Sequence, residues 1–167
     1  LWAETYVREL TAVNVFAVQA DIASAVANAL RAALLPEEQL ALQETPTESI
    51  QAYDLYLLGR YHWKMRTKES IDVARGHFEQ AIDRDPEYVL ALSGLADSYT
   101  MLVVYGNMTG EDAYPLAQQA IDKAMAIDDS VSEVWSSLGF LRREQASLGE
   151  SEEAFKRALE LDEKNFA

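Results

Sequence analysis

Apolar and small residues recur along this chain with a period close to 34 residues. One slot of the repeat is held by Leu55, Leu92 and Trp135, each followed by Leu three residues later and by Gly or Ala four residues later. A second slot consists of a small residue, a large apolar residue four positions later and Ala three positions after that. It is held by Ala74-Phe78-Ala81, Ala117-Ile121-Ala124 and Ser151-Phe155-Ala158. The spacings, 37 and 43 residues for the first slot and 43 and 34 for the second, fit one unit with insertions in a single loop. Such a period predicts an array of helix hairpins, because each hairpin buries its apolar face only against its neighbours.

Helical periodicity and capping signals predict where the helices begin and end. The predicted helices cover residues 14–35, 46–65, 68–84, 87–105, 112–127, 131–146 and 150–162. Thr45-Pro46-Thr47-Glu48 and Ser130-x-x-Glu133 have the form of N-terminal capping boxes. Gly106 and Gly149 are expected to end helices. Pro115 predicts that its helix starts late or is kinked.

The two slots together resemble the tetratricopeptide (TPR) repeat, whose helix A carries W-x-x-L-G-x-x-Y and whose helix B carries A-x-x-x-F. The resemblance covers residues 52–167 and divides them into three repeats, 52–88, 89–131 and 132–167. His62 and Arg142 stand where helix A of the family has Tyr. The resemblance implies an all-α fold, a right-handed superhelix of antiparallel helix hairpins, which binds proteins and has no catalytic activity of its own.

A second resemblance covers the first 51 residues. The segments LWAETYVREL and VFAVQADIASAVANAL are similar to the end of the TolB-like amino domain that precedes TPR arrays in bacterial multidomain proteins, including class III adenylate cyclases and winged-helix regulators. The resemblance implies that residues 1–45 are a strand and helix remnant of such a domain plus a linker, and that 46–167 are TPR repeats. Alternation at residues 1–7 predicts an edge strand. One apolar helix stripe is predicted from Val15, Val18, Ile22, Val26, Leu30 and Leu34.

Charge and composition exclude several classes of function. The chain has 14 Lys and Arg against 28 Asp and Glu, a formal charge of −14, so it repels phosphate backbones and anionic membrane surfaces. The longest apolar run, residues 13–35, contains Asn, Gln, Asp and Arg, which a membrane span tolerates poorly. We therefore expect a soluble, cytoplasmic domain that binds no nucleic acid and inserts into no membrane. The absence of Cys removes disulfides and thiolate metal sites.

The sequence offers little catalytic chemistry. The glycines form no phosphate-binding loop, and His62 and His77 lack metal-ligand spacing, so we expect neither a cofactor nor a metal. Three pairs of neighbouring acids could in principle perform glycosidase-type acid/base chemistry. These pairs are Glu111-Asp112, Asp128-Asp129 and Glu152-Glu153. Their positions at predicted helix ends favour the other interpretation, helix-dipole complementarity and solubility.

Basic residues concentrate in the first repeat. Arg60, Lys64, Arg66 and Lys68 surround the run Tyr61-His62-Trp63 near the first hairpin turn. This segment could hold an acidic peptide or a phosphate through charge-assisted hydrogen bonds and cation–π contacts. The alternative is that the charged side chains of this turn are solvated and that Trp63 packs against neighbouring residues.

In a TPR stack helix A lines the concave groove, so the resemblance implies which residues face a partner. They are Tyr56, Arg60, Trp63, Lys64, Ser93, Asp97, Thr100, Met101, Ser136, Phe140 and Arg143. Trp63, Tyr56 and Phe140 would be the apolar anchors, and Arg60 and Arg143 would set the charge register. The slots of the carboxylate clamp of chaperone-binding TPRs lack the family's pattern of Lys, Asn and Arg, so capture of an acidic chain terminus is not expected. These slots hold Tyr56, Arg60, Gly94, Glu133 and Ser137.

Three functions stay open at this point. The first is a non-catalytic TPR scaffold in a bacterial signalling protein, whose partner is another protein, a peptide segment or another domain of the same parent. The second is the regulatory region of an adenylate cyclase whose catalytic domain lies elsewhere. The third is self-association as a homodimer through the apolar face around Phe155 and Leu159, where the stack lacks a polar capping helix.

Overall fold

The computed structural model describes residues 12–29 and 46–166, most of which lie in helices. Seven α-helices and no strand occur in these ranges, which confirms the all-α fold class. The helices are α1 (Ala12–Ala29), α2 (Ile50–Lys64), α3 (Lys68–Arg84), α4 (Val89–Val104), α5 (Gly110–Ile127), α6 (Ser132–Glu144) and α7 (Leu148–Phe166). The predicted edge strand at residues 1–7 lies outside the described residues. Across the two described ranges, no helix combines the length and the apolar character needed to cross a bilayer.

Helices α2 to α7 form three consecutive hairpins, α2–α3, α4–α5 and α6–α7. Neighbouring hairpins are joined by contacts of α3 with α4 and of α5 with α6. In addition, α4 touches both α2 and α6, so the first helices of the three hairpins form one row. This row corresponds to the helix A face of the predicted repeats.

Phe78 explains why the repeat needs small residues at fixed positions. Its ring is fully buried between Gly59 of α2 and Gly94 of α4. A Cβ atom on either glycine would lie 2.6 Å from a ring carbon, so a residue with a side chain would collide with the ring. The third hairpin repeats half of this arrangement, with Gly139 of α6 against Phe155 of α7. Small residues of the repeat pattern therefore mark close helix contacts.

Helix α1 packs through a residue outside its predicted apolar stripe. Phe16 is buried, and its ring meets the ring of Tyr53 on α2 edge-on, with 4.7 Å between centroids. Ile22 and Val26, which the stripe predicts to pack, are exposed. The stripe is therefore wrong for these two residues, and its last two leucines lie outside the described residues.

The capping box predicted before α2 is wrong. The helix begins four residues later than predicted, and the Ser49 hydroxyl caps it by accepting from the Ala52 N–H at 3.2 Å. Thr47 is buried and donates its hydroxyl to the carboxylate of Asp85, which lies 38 residues further along the chain. Thr47 therefore ties the approach to α2 to the end of α3 and caps no helix.

The capping box predicted before α6 is also wrong. Val131 is the N-cap residue and makes no side-chain capping bond. The Ser130 hydroxyl donates instead to the Asp128 carboxylate at 2.6 Å. A reciprocal capping box does occur at α3, between Thr67 and Ser70.

Residues with left-handed backbone follow the ends of α4 and α6. Gly106 follows α4 with a φ of 72°, as predicted. Gly149 ends no helix, because it lies in the first turn of α7, and Ala146 takes the left-handed position after α6 with a φ of 61°. Pro115 lies inside α5, which begins at Gly110, so the predicted late start is wrong.

Candidate functional site

The row formed by α2, α4 and α6 surrounds a cavity of about 140 Å³. Six predicted groove residues line it, namely Tyr56, Arg60, Trp63, Ser93, Asp97 and Ser136. The other lining residues are Phe78, Leu90, Gly94, Glu133 and Ser137. Three of these, at positions 94, 133 and 137, occupy clamp slots that sequence reasoning considered but did not include in the groove. The structure therefore brings about half of the predicted set together at one place.

Tyr56 and Arg60 are joined across one turn of α2. Arg60 donates from Nη1 to the Tyr56 hydroxyl at 2.8 Å, and its Cζ lies 5.8 Å from the centre of the Tyr56 ring. The same ring packs against Phe78 and Tyr88. Burial raises the pKa of Tyr56, and the Arg60 charge opposes part of that shift. The Arg60 guanidinium is therefore held in place by a partner on its own helix.

The surroundings of Asp97 shift the pKa of its carboxyl group. Burial raises the pKa of its carboxyl to about 6, while a hydrogen bond with Ser137 and the charges of Arg60 and Arg66 oppose the shift. No basic side chain of the described residues forms an ion pair with this carboxylate. Asp97 is half-buried, and because its desolvation is only partly offset, its ionised form disfavours the folded state.

Trp63 supplies an aromatic surface to the cavity. The Cζ atom of Arg66 lies 3.5 Å from the centre of the Trp63 ring, which is a close cation–π contact. The indole Nε1 of Trp63 is buried and has no hydrogen-bond partner among the described residues. Buried N–H groups are rarely left unpaired, so this donor is notable at a cavity wall.

Two predicted groove residues of α4 lie in the core instead. Thr100 is buried, and its hydroxyl donates to the Ala96 carbonyl at 3.0 Å. Met101 is buried in an apolar cluster with Ile71 and Leu102. Both side chains are used internally, and neither lines the cavity.

The last three predicted groove residues lie outside the cavity. Phe140 packs against the cluster that contains Met101, and the Cζ of Arg143 lies 5.0 Å from the centre of the Phe140 ring. Arg143 itself is exposed and pairs with Glu144 at 2.9 Å. Lys64 is exposed at the end of α2.

The two histidines stack on each other between α2 and α3. The ring centres of His62 and His77 are 5.4 Å apart, and the ring planes differ by 18°. Burial and the neighbouring His62 lower the pKa of His77. Within the described ranges, no group of three or more His, Asp or Glu could hold a metal ion.

The neighbouring acids lie at helix ends in two of the three pairs. Glu111 and Asp112 are in the first turn of α5, where the helix dipole favours negative charge. Asp128 is the C-cap residue of α5 and accepts from the Ser130 N–H at 2.9 Å. Glu152 lies beyond the first turn of α7 because that helix begins at residue 148, so the helix-end position predicted for the third pair is wrong.

Several solved structures resemble this chain, and two of them are TPR domains. The NMR structure of the first TPR domain of the human RPAP3 protein is 23% identical, with a TM-score of 0.56, and the match covers 70% of this chain and 82% of that one. The first TPR of Spaghetti (RPAP3) bound to the HSP90 peptide SRMEEVD is also 23% identical, with a TM-score of 0.55 and coverages of 74% and 88%. These likenesses show that the chain has the fold of a TPR domain.

The other comparisons identify no closer relationship. No protein-family model matches the chain, and no curated protein matches it. The solved structures do not bear on the TolB-like resemblance or on an adenylate cyclase context. The comparisons thus identify the fold of the chain, that of a TPR domain, and assign it to no family.

Proposed function

We propose that this chain is a non-catalytic scaffold that binds a segment of a partner protein, or of another domain of its own parent, in the groove formed by α2, α4 and α6. The observation that carries the proposal is the cavity of about 140 Å³ that the three helices share. The cavity combines aromatic walls with a guanidinium and two carboxylates, a mixture suited to the side chains of a peptide. Peptide binding by the Spaghetti TPR, which has the same fold, supports the proposal.

Trp63 and Tyr56 are the proposed apolar anchors of the groove, because aromatic residues in desolvated pockets carry much of the binding energy at interfaces. The guanidinium of Arg60 supplies a positive charge at the wall of the cavity formed by α2. Phe140 and Arg143 lie beyond the cavity on α6 and would contact only a longer segment. Thr100 and Met101 take no direct part, because their side chains are buried in the core.

The groove is tested with peptides selected from a random displayed library and with fluorescence polarisation as the measure of affinity. Ser136→Trp adds a large side chain at an exposed position that lines both this cavity and the larger groove on α6 and α7, and Arg60→Ala removes the guanidinium from the cavity alone. We expect each variant to weaken binding about tenfold or more. Arg84→Ala, on an exposed position of α3 outside the cavity, is the matched control and should bind like the wild type. Unchanged affinity in folded groove variants would contradict the proposal.

The acidic peptide SRMEEVD provides a contrast. Asp97 and Glu133 line the groove, so its carboxylates would meet like charges. We expect this peptide to bind with a Kd weaker than about 1 mM in calorimetry. Submicromolar binding would instead indicate clamp-type capture of an acidic terminus.

We further propose that the scaffold works in the cytoplasm within a bacterial signalling or regulatory protein, with an adenylate cyclase as the alternative parent. The support is the resemblance of residues 1–51 to the end of a TolB-like domain. Sequencing the open reading frame on both sides of this chain tests the idea. A cyclase, kinase or winged-helix domain beside it is the expected result, and an unrelated setting would overturn it.

Self-association is the second candidate function, favoured by one observation on α6 and α7. A groove of about 490 Å³ lies on the face of this hairpin against which no further described helix packs. Phe155, Ala158 and Leu159 form the apolar part of its lining, and Leu159 is 61% exposed. The polar part consists of Ser132, Glu133, Ser136 and Asp162. Contact with a second copy would cover this surface.

A further inference from the structure

We infer that the partner segment places a Lys or Arg side chain in the cavity between α2, α4 and α6, where the carboxylates of Asp97 and Glu133 receive the cation. The inference rests on the proposed function of the groove and names the chemistry of its ligand. It concerns the cavity of about 140 Å³ and not the part of α6 that lies beyond the cavity and carries Phe140 and Arg143.

The size of the cavity favours a single side chain as its occupant. Sites for cofactors and drug-sized ligands usually enclose roughly 300–1,000 Å³, well above the volume found here. The walls contributed by Tyr56 and Trp63 are aromatic. Arg66 already lies over the Trp63 ring, and the remaining aromatic surface can cover the apolar stem of a Lys or Arg side chain.

The charges in the cavity favour a cation over an anion. Asp97 and Glu133 supply two carboxylates to the cavity lining, which contains one guanidinium, that of Arg60. Arg66 lies outside the lining, although its charge also acts on Asp97. That guanidinium already donates to the Tyr56 hydroxyl, so part of its hydrogen-bonding capacity is used. Glu133 accepts a hydrogen bond from its neighbour Ser132 and makes no ion pair among the described residues.

Asp97 gives the strongest reason for a cationic ligand. Its carboxylate is desolvated and hydrogen-bonded by Ser137, and it forms no ion pair with a basic side chain of the described residues. A Lys or Arg side chain entering the cavity would replace the lost hydration with a charge-assisted hydrogen bond. Desolvation is the main cause of the raised pKa of Asp97, and a bound cation would offset it.

The basic and aromatic run of the first repeat does not provide a competing anion site. Arg66 lies over Trp63 at 3.5 Å, and Arg60 is bonded to Tyr56. Two of its four basic groups are thus engaged within the fold. An anion entering the cavity would also meet the carboxylates of Asp97 and Glu133.

The test uses three acetylated tripeptide amides, Ala-Lys-Ala, Ala-norleucine-Ala and Ala-Glu-Ala, titrated into the ¹⁵N-labelled chain to about 20 mM, a range suited to ligands this small. At pH 7.5 we expect the Lys peptide to shift the amide signals of Asp97 and Ser137 and the indole signal of Trp63. The norleucine and Glu peptides should produce shifts at least about fivefold smaller at the same concentration. Equal shifts with Lys and norleucine, or no Lys-dependent shift at Asp97, would overturn the inference.

Matched variants decide whether the carboxylates are responsible. Asp97→Asn and Glu133→Gln keep the shape of each side chain, and each should reduce the Lys-dependent shifts several-fold. Asp54→Asn, at an exposed position of α2 outside the cavity, should leave them unchanged. Carbon NMR of the Asp97 carboxyl gives an independent readout, because a bound cation must lower its pKa from about 6. A pKa that stays constant on saturation with the Lys peptide also overturns the inference.

Failure of the inference and failure of the proposed function have different signatures. If the Glu peptide, and not the Lys peptide, shifts the cavity signals, the groove binds peptides but the chemistry named here is wrong. If the selected library peptides also bind with equal affinity to wild type and to Ser136→Trp, the groove function itself is wrong.

Discussion

Phe78 lies where the first two hairpins meet, and its ring leaves no room for a side chain at Gly59 or Gly94. Gly59→Ala or Gly94→Ala would place a methyl group 2.6 Å from the ring of a side chain that is fully buried. The ring is held from both sides, so it cannot move away from one glycine without approaching the other. We expect each substitution to lower the free energy of unfolding by about 1–3 kcal/mol in urea titrations.

Other glycines of the chain provide controls for this prediction. Gly76→Ala adds a methyl group in open space within α3 and should stabilise by about 0.5–1 kcal/mol. Gly139→Ala presses on Phe155, which is half-buried beside an open groove and can shift, so its cost should be smaller. A Gly59→Ala protein as stable as Gly76→Ala would contradict the role given to Phe78.

Asp97 is expected to reduce stability near neutral pH. Its folded-state pKa of about 6 lies above the ordinary Asp value, so the folded chain binds a proton more tightly than the unfolded chain does. Stability from this group is therefore complete below the ordinary Asp pKa and is lost as the pH rises through 6. Asp97→Asn should raise the free energy of unfolding at pH 7.5 and lose most of that advantage at pH 4. The exposed Asp54→Asn should show no such pH dependence, and a gain for Asp97→Asn that is equal at both pH values would contradict the assignment.

At the scale of elements, two helices end in the same hydrogen-bonding motif with different residues at its left-handed position. After α4, the N–H groups of Gly106 and Asn107 bond the carbonyls of residues 103 and 102. After α6, the N–H groups of Ala146 and Ser147 bond the carbonyls of residues 143 and 142. Both are Schellman motifs, and a left-handed Ala costs roughly 1 kcal/mol more than Gly.

The two motifs predict opposite effects for exchanged residues. Ala146→Gly should raise the free energy of unfolding by about 0.5–1 kcal/mol, and Gly106→Ala should lower it by about the same amount. Thermal melts of both variants beside the wild type measure the difference. Changes of the same sign in the two variants would show that the left-handed backbone does not decide the outcome.

Helix positions were predictable because each hairpin repeats one pattern of small and large residues, and contacts such as Gly59 with Phe78 depend directly on that pattern. Helix starts were less predictable where a distant contact decides. Residues 45–48 have a capping sequence, yet the hydroxyl of Thr47 donates to Asp85 at the end of α3, 38 residues along the chain, a contact that local sequence does not contain. Ala146 was missed because left-handed Ala is rare, and a nearby Gly149 fitted the usual rule better.

The lining of the 140 Å³ cavity was predictable in the part where helical phase alone decides orientation. Tyr56, Arg60 and Trp63 lie three or four residues apart on α2, and all three line the cavity. On α4 the same reasoning failed for Thr100 and Met101, because α4 is packed against four other helices and keeps few residues free for a ligand. Contacts on several sides of one helix depend on the whole stack and cannot be inferred from its own periodicity.

Equivalent faces of the three hairpins differ in whether a described helix covers them. The face of the α2–α3 hairpin is covered by α4, and the face of α4–α5 is contacted by α6. The matching face of α6–α7 holds the groove of about 490 Å³ with no further described helix on it. Since Phe155 occupies the same slot as Phe78, this surface is equivalent in the repeat to the face of the first hairpin that α4 covers.

Self-association through this face gives the last prediction. Light scattering over a dilution series should show the apparent mass of the wild type rise with concentration toward that of a dimer. Leu159→Glu adds a carboxylate to a groove that already holds Glu133 and Asp162 and should keep the chain monomeric over the same range, because a second copy would bury an unpaired carboxylate. Leu148→Glu is the matched control, since Leu148 lies on the same helix, is 69% exposed and is outside the groove. A wild type that stays strictly monomeric at high concentration would exclude self-association, and an equal effect of both variants would place the contact elsewhere.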